Sequence, residues 1–445
     1  MKSSSILLKF IICLVIVLCY SCQHHPGNQN GKKTFNFSKY IFGQAPSLYV
    51  YVKSVDKSTG GVLIRGGDSR KPPAPFILKW GDGAVTEGNF PQEHVYPDRT
   101  QNYIITVKAR YSDSSSDSAE AFIRFVAPEI IQKALPSNIA VSIPDSMVML
   151  ESRMPKEELY EFSDSLTYFE DKFFPVIPRK TIEYILSVAA SIQMKFVNND
   201  VYKVNGGFNQ VMLRHGQFGG MYSLWYTNPV SFGVGDYGFR GTIQWSSFFH
   251  EMGHNFTLNS PAGYYYGGKS DGNSSTIFSE TMAQIFQHVT AYYIVNNYKD
   301  YGLSEDLAYE IQLSAQSSFS WPSSSYKRYI NSGKNFASWD DPNTPQDETF
   351  DTFMTIAYKF FEHAEKGKPD YENQLKRMMK FLQQFNEDWH RRYDPKNDSV
   401  EGATFRATLM VSALSYAFDE DLRVEFRELD FPISDEIYLE LMIGN

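Results

Sequence analysis

Cysteine is almost absent from this chain. Of 445 residues only Cys13, Cys19 and Cys22 are cysteines, which excludes structural disulfides, thiolate metal sites and a cysteine nucleophile from everything beyond residue 22. A basic block is missing too. The 42 Lys+Arg stand against 51 Asp+Glu, a net charge of −9, so a nucleic-acid partner lacks its electrostatic footprint. The apolar run from Phe10 to Tyr20 is about 11 residues long, too short for a spanning helix, which needs about 20. Apolar material, in contrast, is plentiful. With 42% hydrophobic and 16% aromatic residues the chain is no disordered polymer, and its length suggests two or three domains.

The N-terminus reads as an address. Lys2 and Lys9 precede or open the apolar run, Ser21 then stands before Cys22, and a polar stretch follows from Gln23 to Lys33. A short apolar core behind positive charge is the pattern of an export signal. With Ser21-Cys22 behind it, the segment resembles a bacterial lipoprotein signal. That resemblance implies a lipid on Cys22 as the first mature residue, and a membrane-anchored protein on the periplasmic face or cell surface. A plain secretory signal is the alternative. Loss of residues 1–21 removes two lysines and no acid, leaving 40 cations against 51 acids, or −11.

Residues 35–127 follow a tether of residues 23–34 and show short alternating stretches broken by Gly, Pro, Asp and Ser. "LYVYVKSV", "GVLIRG", "PFILKWGDG", "YIITVKARY" and "AEAFIRFVA" all predict strands of a β-sandwich. The run "WGDG" (Trp80 to Gly83), then "HVYPD", then "YIITVKA" resembles an immunoglobulin-like domain of PKD type, which implies a spacer or binding module rather than an active site. Asp82 and Gly83 suit a tight turn, Trp80 suits the core beside it, and His94 suits a turn-fixing hydrogen bond better than a metal. Residues 128–144 read as a linker or as the first segment of the next domain, residues 145–445.

From there the period becomes helical. In "EELYEFSDSLTYFEDKFF", Leu159, Phe162, Leu166, Phe169 and Phe173 make one apolar face. Ser317 to Thr349, rich in Ser, Asn, Asp and Pro, predicts a long loop that either shapes substrate access or is a surface excursion.

Chemistry is concentrated in "QWSSFFHEMGHNFTLN", where His250-Glu251-Met252-Gly253-His254 form an HExxH. On a helix, residues four apart share a face, so both imidazoles can reach one metal ion, while Glu251 meets water rather than metal. Trp245, Phe248, Phe249, Met252 and Phe256 supply an opposite face for burial. Thr257 and Ser260 stand where a metzincin needs Gly and His, so that subclass fails. A second helix is predicted over "STIFSETMAQIFQHVTAYYIVNNY", with Glu280, 26 positions after His254, near its start and Gln284 and His288 on the same face. Glu280 is the preferred third ligand, with Asp271 and His288 as rivals. Tyr264, Tyr265, Tyr266, Tyr292 and His288 are candidate oxyanion donors. Asn255 and Asp271 are candidates to orient the ligands. "GGMYSLWYTNP" (Gly219 to Pro229) is a candidate edge strand for an extended substrate.

"FFHEMGHNF" followed by "SETMAQIF" resembles the enhancin-like, mucin-degrading metallopeptidases of the glutamate-zincin class. The C-terminal "LMVSALSYAFDEDLRVEFRELDFPIS" is similar to that family's ending. The resemblance covers roughly Pro144 to Asn445. It implies one Zn2+ held by His250, His254 and Glu280, Glu251 as general base, and host glycoproteins such as mucins as substrates. The expected protein is thus multidomain, an N-terminal PKD-type β-sandwich followed by a mainly α, zincin-like α+β catalytic domain. Its expected function is zinc-dependent hydrolysis of proteins or glycoproteins at the cell envelope. A zinc hydrolase of another bond type, and a non-catalytic surface binding protein with a structural metal site, are the alternatives.

Overall fold

A computed structural model describes residues 35, 47–137, 140–142, 177–197, 210–215, 221–223, 230–232, 244–257, 274–339, 346–366, 370–394 and 397–443. Apart from Phe35, all belong to one unit, Phe37–Asn445. The three cysteines, the tether and the apolar face expected at Leu159 to Phe173 lie outside the described residues.

Seven antiparallel strands come first: β1 (Leu48–Asp56), β2 (Gly61–Asp68), β3 (Phe76–Lys79), β4 (Val85–Gly88), β5 (Gln92–Val95), β6 (Tyr103–Arg110) and β7 (Ser116–Ile123). They make two sheets, ordered β1-β2-β5 and β4-β3-β6-β7. Alternation decides the faces. Leu48, Val50 and Val52 of β1 and Tyr103, Ile105 and Val107 of β6 point into one shared core, with charged or polar neighbours between several of them. Trp80 is fully buried there, its indole N–H given to Thr86 Oγ1 at 2.9 Å, and its carbonyl accepts from the Tyr96 hydroxyl at 2.7 Å. His94 stacks on Trp80 and pairs with Asp82 at 2.7 Å across the turn that Gly81 and Gly83 form at positive φ. The histidine therefore belongs to the turn.

A mostly helical region follows. Its small sheet combines β8 (Ala140–Ser142), β9 (Gln210–His215), β10 (Met221–Ser223) and β11 (Val230–Phe232) in the order β10-β11-β9-β8. β8 and β11 run parallel to β9, and β10 is the antiparallel edge. The helices are α1 (Arg179–Phe196), α2 (Trp245–Thr257), α3 (Ser274–Asn297), α4 (Glu305–Ser318), α5 (Ser320–Asn331), α6 (Gln346–Glu365), α7 (Tyr371–Leu382), α8 (Glu387–Tyr393), α9 (Val400–Phe418), α10 (Arg423–Glu428) and α11 (Asp435–Ile443). One apolar core runs through them, with α3 packed against α1, α2, α4, α6 and α7. Among the described residues no helix is long and apolar enough to cross a membrane.

One sequence expectation needs revision. The stretch Ser317 to Thr349 is not one loop, since it ends α4, forms α5 and begins α6. Serine has modest helix propensity, but here Phe319 and Tyr329 bury their rings. Pro322 falls in the first turn, where its missing N–H costs little. The Ser320 and Ser324 hydroxyls bond back to the carbonyls of Ser317 and Trp321 at 2.6 and 3.1 Å. Residues 128–137 are tied to the helical region rather than free of it. The Ile131 N–H donates to the Gly302 carbonyl at 2.8 Å, and the Lys133 N–H to the Tyr184 hydroxyl at 2.9 Å.

The sandwich is fastened to α4 by buried charge. Arg124, just after β7 and 1% exposed, gives Nε to Glu310 at 2.7 Å and Nη1 to Asp306 at 3.0 Å. Tyr309, between those acids, donates to Glu120 of β7. Removing one member strands a buried charge, whereas removing both does not. Arg124→Ala is therefore expected to cost about 3–5 kcal/mol in urea unfolding, and Arg124→Met with Glu310→Met clearly less. Equal losses would contradict the account.

Candidate metal centre

Helix α2 exists because one of its sides must be buried. Phe248, Phe249, Met252 and Phe256 are fully buried, and the Phe249 carbonyl also accepts from Gln193 of α1 at 2.8 Å. That wedge leaves His250, Glu251 and His254 on the neighbouring faces, each less than a tenth exposed. Helix α3 then crosses close beside α2 at Gly253. A Cβ there would lie 3.1 Å from Phe286 Cβ and 3.2 Å from Ala283 Cα, closer than packed carbons normally come. The missing side chain lets the second helix bring Glu280 to the histidines.

Glu280 Oε2 is 3.0 Å from His250 Nε2, and Oε1 is 3.5 Å from His254 Nε2. Ligand atoms of these three residues all lie within 4.8 Å of one another. The two imidazole rings stand nearly perpendicular, 4.9 Å apart. Glu251 points to the same place without joining the cluster, its Oε2 4.0 Å from His254 Nε2. One of the histidines is backed by a residue of α3: His254 Nδ1 meets the Ser279 hydroxyl at 2.7 Å. Further along α3, Gln284 donates its amide to His288 Nε2 at 2.8 Å.

The electrostatics follow from burial and proximity. Burial alone would raise the Glu280 pKa, but the two imidazoles hold it well below the usual carboxylate range. Burial works against charge on His250 as well, yet the hydrogen bond and charge of Glu280, with Glu251, lift its pKa above the ordinary value. Glu251 is pushed up by burial, against the pull of the histidines. His288 is driven down to about 3 by burial and by the charge on His250, so it is neutral.

These donors suit a zinc ion. Two imidazole Nε2 atoms and one carboxylate converge from two helices, and Ser279 of α3 fixes the orientation of the His254 ring. The arrangement is a candidate metal centre of the two-histidine, one-carboxylate kind, with an unliganded glutamate beside it.

Other residues singled out in the sequence fall elsewhere. His288 is packed edge-on against Phe319 and Phe361 with its Nε2 facing Gln284, so among the described residues it belongs behind the cluster, as neither third ligand nor oxyanion donor. Tyr292 is twelve residues beyond Glu280 on α3, about 18 Å by helical rise, and packs edge-on against Tyr371. It is too far away to stabilise an oxyanion. Tyr264, Tyr265, Tyr266 and Asp271 lie outside the described residues, as does the Asn255 side chain. Ser279 and Trp321 were missed. Ser279 is an ordinary helix-start serine in sequence. Trp321, 37% exposed with its ring 6.3 Å from His250 and backed by Phe350, lies within the stretch read as a loop.

No family model matches this chain. No curated protein matches it either. Among solved structures it is similar to the ZmpB metallopeptidase from Clostridium perfringens, at a TM-score of 0.34 and 12% identity over 92% of this chain and 77% of that one. A likeness of that degree carries no argument, and the functional reading rests on the site itself.

Gly253→Ala should push α2 and α3 apart, costing about 1–3 kcal/mol and weakening zinc binding in titration against a fluorescent chelator. Unchanged zinc affinity would show that the close approach is not what assembles the site. The His288 shift has a defined sign. Its folded pKa, about 3, lies below the ordinary 6.5, so its contribution to stability is fully present above pH 6.5 and lost as pH falls towards 3. In denaturant melts His288→Gln should flatten the acid limb across that window.

Proposed function

We propose that the protein is a zinc-dependent endopeptidase of the cell envelope, with zinc held by His250, His254 and Glu280. One observation carries this reading. Three suitable ligand atoms converge within 4.8 Å, and Glu251 lies beside them without being one of them. A structural site needs the ligands but has no use for that fourth group.

Zinc held there supplies Lewis acidity, which strengthens water as a nucleophile and polarises a peptide carbonyl. The protein's own groups do the rest. Glu251, whose pKa burial raises, accepts the proton of the attacking water and passes it to the leaving amine. Ser279 holds the His254 ring in place. β10 lies against α2 and is an edge strand among the described residues, which suits backbone pairing with an extended substrate. Trp321 provides an aromatic wall at the rim. Of the tyrosines named above, Tyr264, Tyr265 and Tyr266 stay as oxyanion donors in this reading. The protein and glycoprotein substrates, mucins among them, the PKD-type character of the sandwich, and the lipid anchor on Cys22 belong to the same proposal, supported by the sequence resemblances.

Purified protein should bind zinc stoichiometrically, measured by mass spectrometry, and cleave casein or mucin. Glu251→Gln should keep the metal and lose cleavage by a factor of about 10^2–10^4. His250→Ala and Glu280→Gln should each lose the metal. Stoichiometric zinc with no Glu251-dependent cleavage of any protein would end the peptidase reading in favour of another bond type or a binding protein. A folded protein that takes up no zinc would remove the metal site.

A further inference from the structure

Between the sandwich and the helices of the metal centre runs an open cleft of about 540 Å3. Tyr49 and Lys53 of β1 and Arg65 of β2 form one wall, and Ser246 of α2, Ser314 of α4 and Ser320 of α5 belong to the other. Three features give it a chemical character. First, it follows the side of the sandwich where β1 and β7, the edge strands of their respective sheets, both face it. There the two edges lie close against each other, so a bound chain meets the cleft through its side chains. Second, its acids are already engaged and its cations are not. Glu120 accepts from the Tyr309 and Thr106 hydroxyls, and Glu310 holds Arg124 at 2.7 Å. Lys53 and Arg65 form no ion pair among the described residues. Third, the cleft adjoins the metal centre. Ser246 is one turn before His250 on α2, about 6 Å by helical rise, and Ser320 immediately precedes Trp321.

We propose that this cleft is a subsite of the substrate path that takes a carboxylate-bearing stretch of extended polypeptide, with the sandwich supplying its cationic wall. The inference rests on the peptidase reading. It makes the sandwich part of the substrate-binding surface rather than a spacer. Lys53 and Arg65 meet the carboxylate, and Tyr49, 40% exposed, offers an apolar face. Ser246, at the near end of the cleft, is about 6 Å by helical rise from His250, so at about 3.3 Å per extended residue the recognised acid falls at least about two residues from the bond at the metal. The carboxylate can come from an Asp or Glu side chain or from an acidic sugar carried by the substrate.

The test measures binding with the full, zinc-loaded Glu251→Gln chain, so it does not depend on cleavage. Fluorescent ten-residue peptides that carry Asp or Asn two to four residues on either side of the centre are compared. The same peptide bearing a neutral or a carboxylated sugar on Thr is added. The carboxylated member of at least one pair should bind about tenfold tighter, the discrimination expected of a charge-assisted contact. That ratio should collapse in Lys53→Gln/Arg65→Gln and persist in Lys108→Gln, which removes an exposed cation of β6 away from the cleft. In the unsubstituted cleft it should also shrink between 50 and 500 mM salt, roughly the range over which exposed charges become screened, a readout that needs no second variant to fold. Preference for Asp assigns the carboxylate to the polypeptide, and preference for the sugar alone assigns it to the glycan. Equal binding within both pairs, or a preference that survives the double variant, overturns the proposal. Absence of Glu251-dependent cleavage would end the peptidase reading while leaving this binding result to stand or fall separately.

Discussion

The site depends on how closely two helices can approach. At Gly253 there is no side chain between α2 and α3, and the space a methyl group would fill is taken by the backbone of Ala283 and the stem of Phe286. Only at that spacing does a glutamate side chain from α3 span both imidazoles of α2. Metal-ligand geometry is here a by-product of apolar packing. Phe248, Phe249, Met252 and Phe256 press α2 into the core from the other side, so the helix can neither back away nor rotate without opening a cavity.

Such packing obliges the polar groups to solve their own problem. His250, Glu251, His254, Ser279, Gln284, Gln287, His288 and Thr290 are all buried within a span of two helices. Groups of this kind are costly inside a protein unless they find partners, and among the described residues His250 Nδ1 and Thr290 Oγ1 have none. Glu280 neutralises the imidazoles, Ser279 holds one ring, and the Gln284–His288 pair extends the polar thread from the cluster into the core. The strain on ionisation is shared unevenly. Glu280 keeps its charge, His288 gives it up, and Glu251 is pushed up by burial against the pull of the histidines.

The sequence made some of this readable and hid the rest for identifiable reasons. The HExxH spacing is a local signal, because four residues are one helical turn, and the two-residue alternation of β1 and β6 is local in the same way. Glu280 was within reach because a helix start and an acid coincide there. Ser317 to Thr349 was misread because composition records intrinsic preference, whereas the burial of Phe319 and Tyr329 that overrides it depends on surfaces far away in the chain. Trp321 was hidden by the same error. Tyr292 shares α3 with Glu280, but twelve residues of helical rise carry it out of reach of the cluster. The contact of Arg124 with Glu310, 186 residues apart, has no local trace at all.

That last contact bears on how such a chain is inherited. By composition the sandwich and the helical region look like separable modules, joined near residue 128. Energetically they are not. A helical region without its sandwich would lose the partner of Glu310 and expose the surface around it to water, and a sandwich alone would present Arg124 with nothing to receive it. Recombination at that junction would thus tend to produce two damaged proteins instead of two working parts. The pair is expected to travel through evolution together, with Arg124, Asp306 and Glu310 changing in concert or not at all.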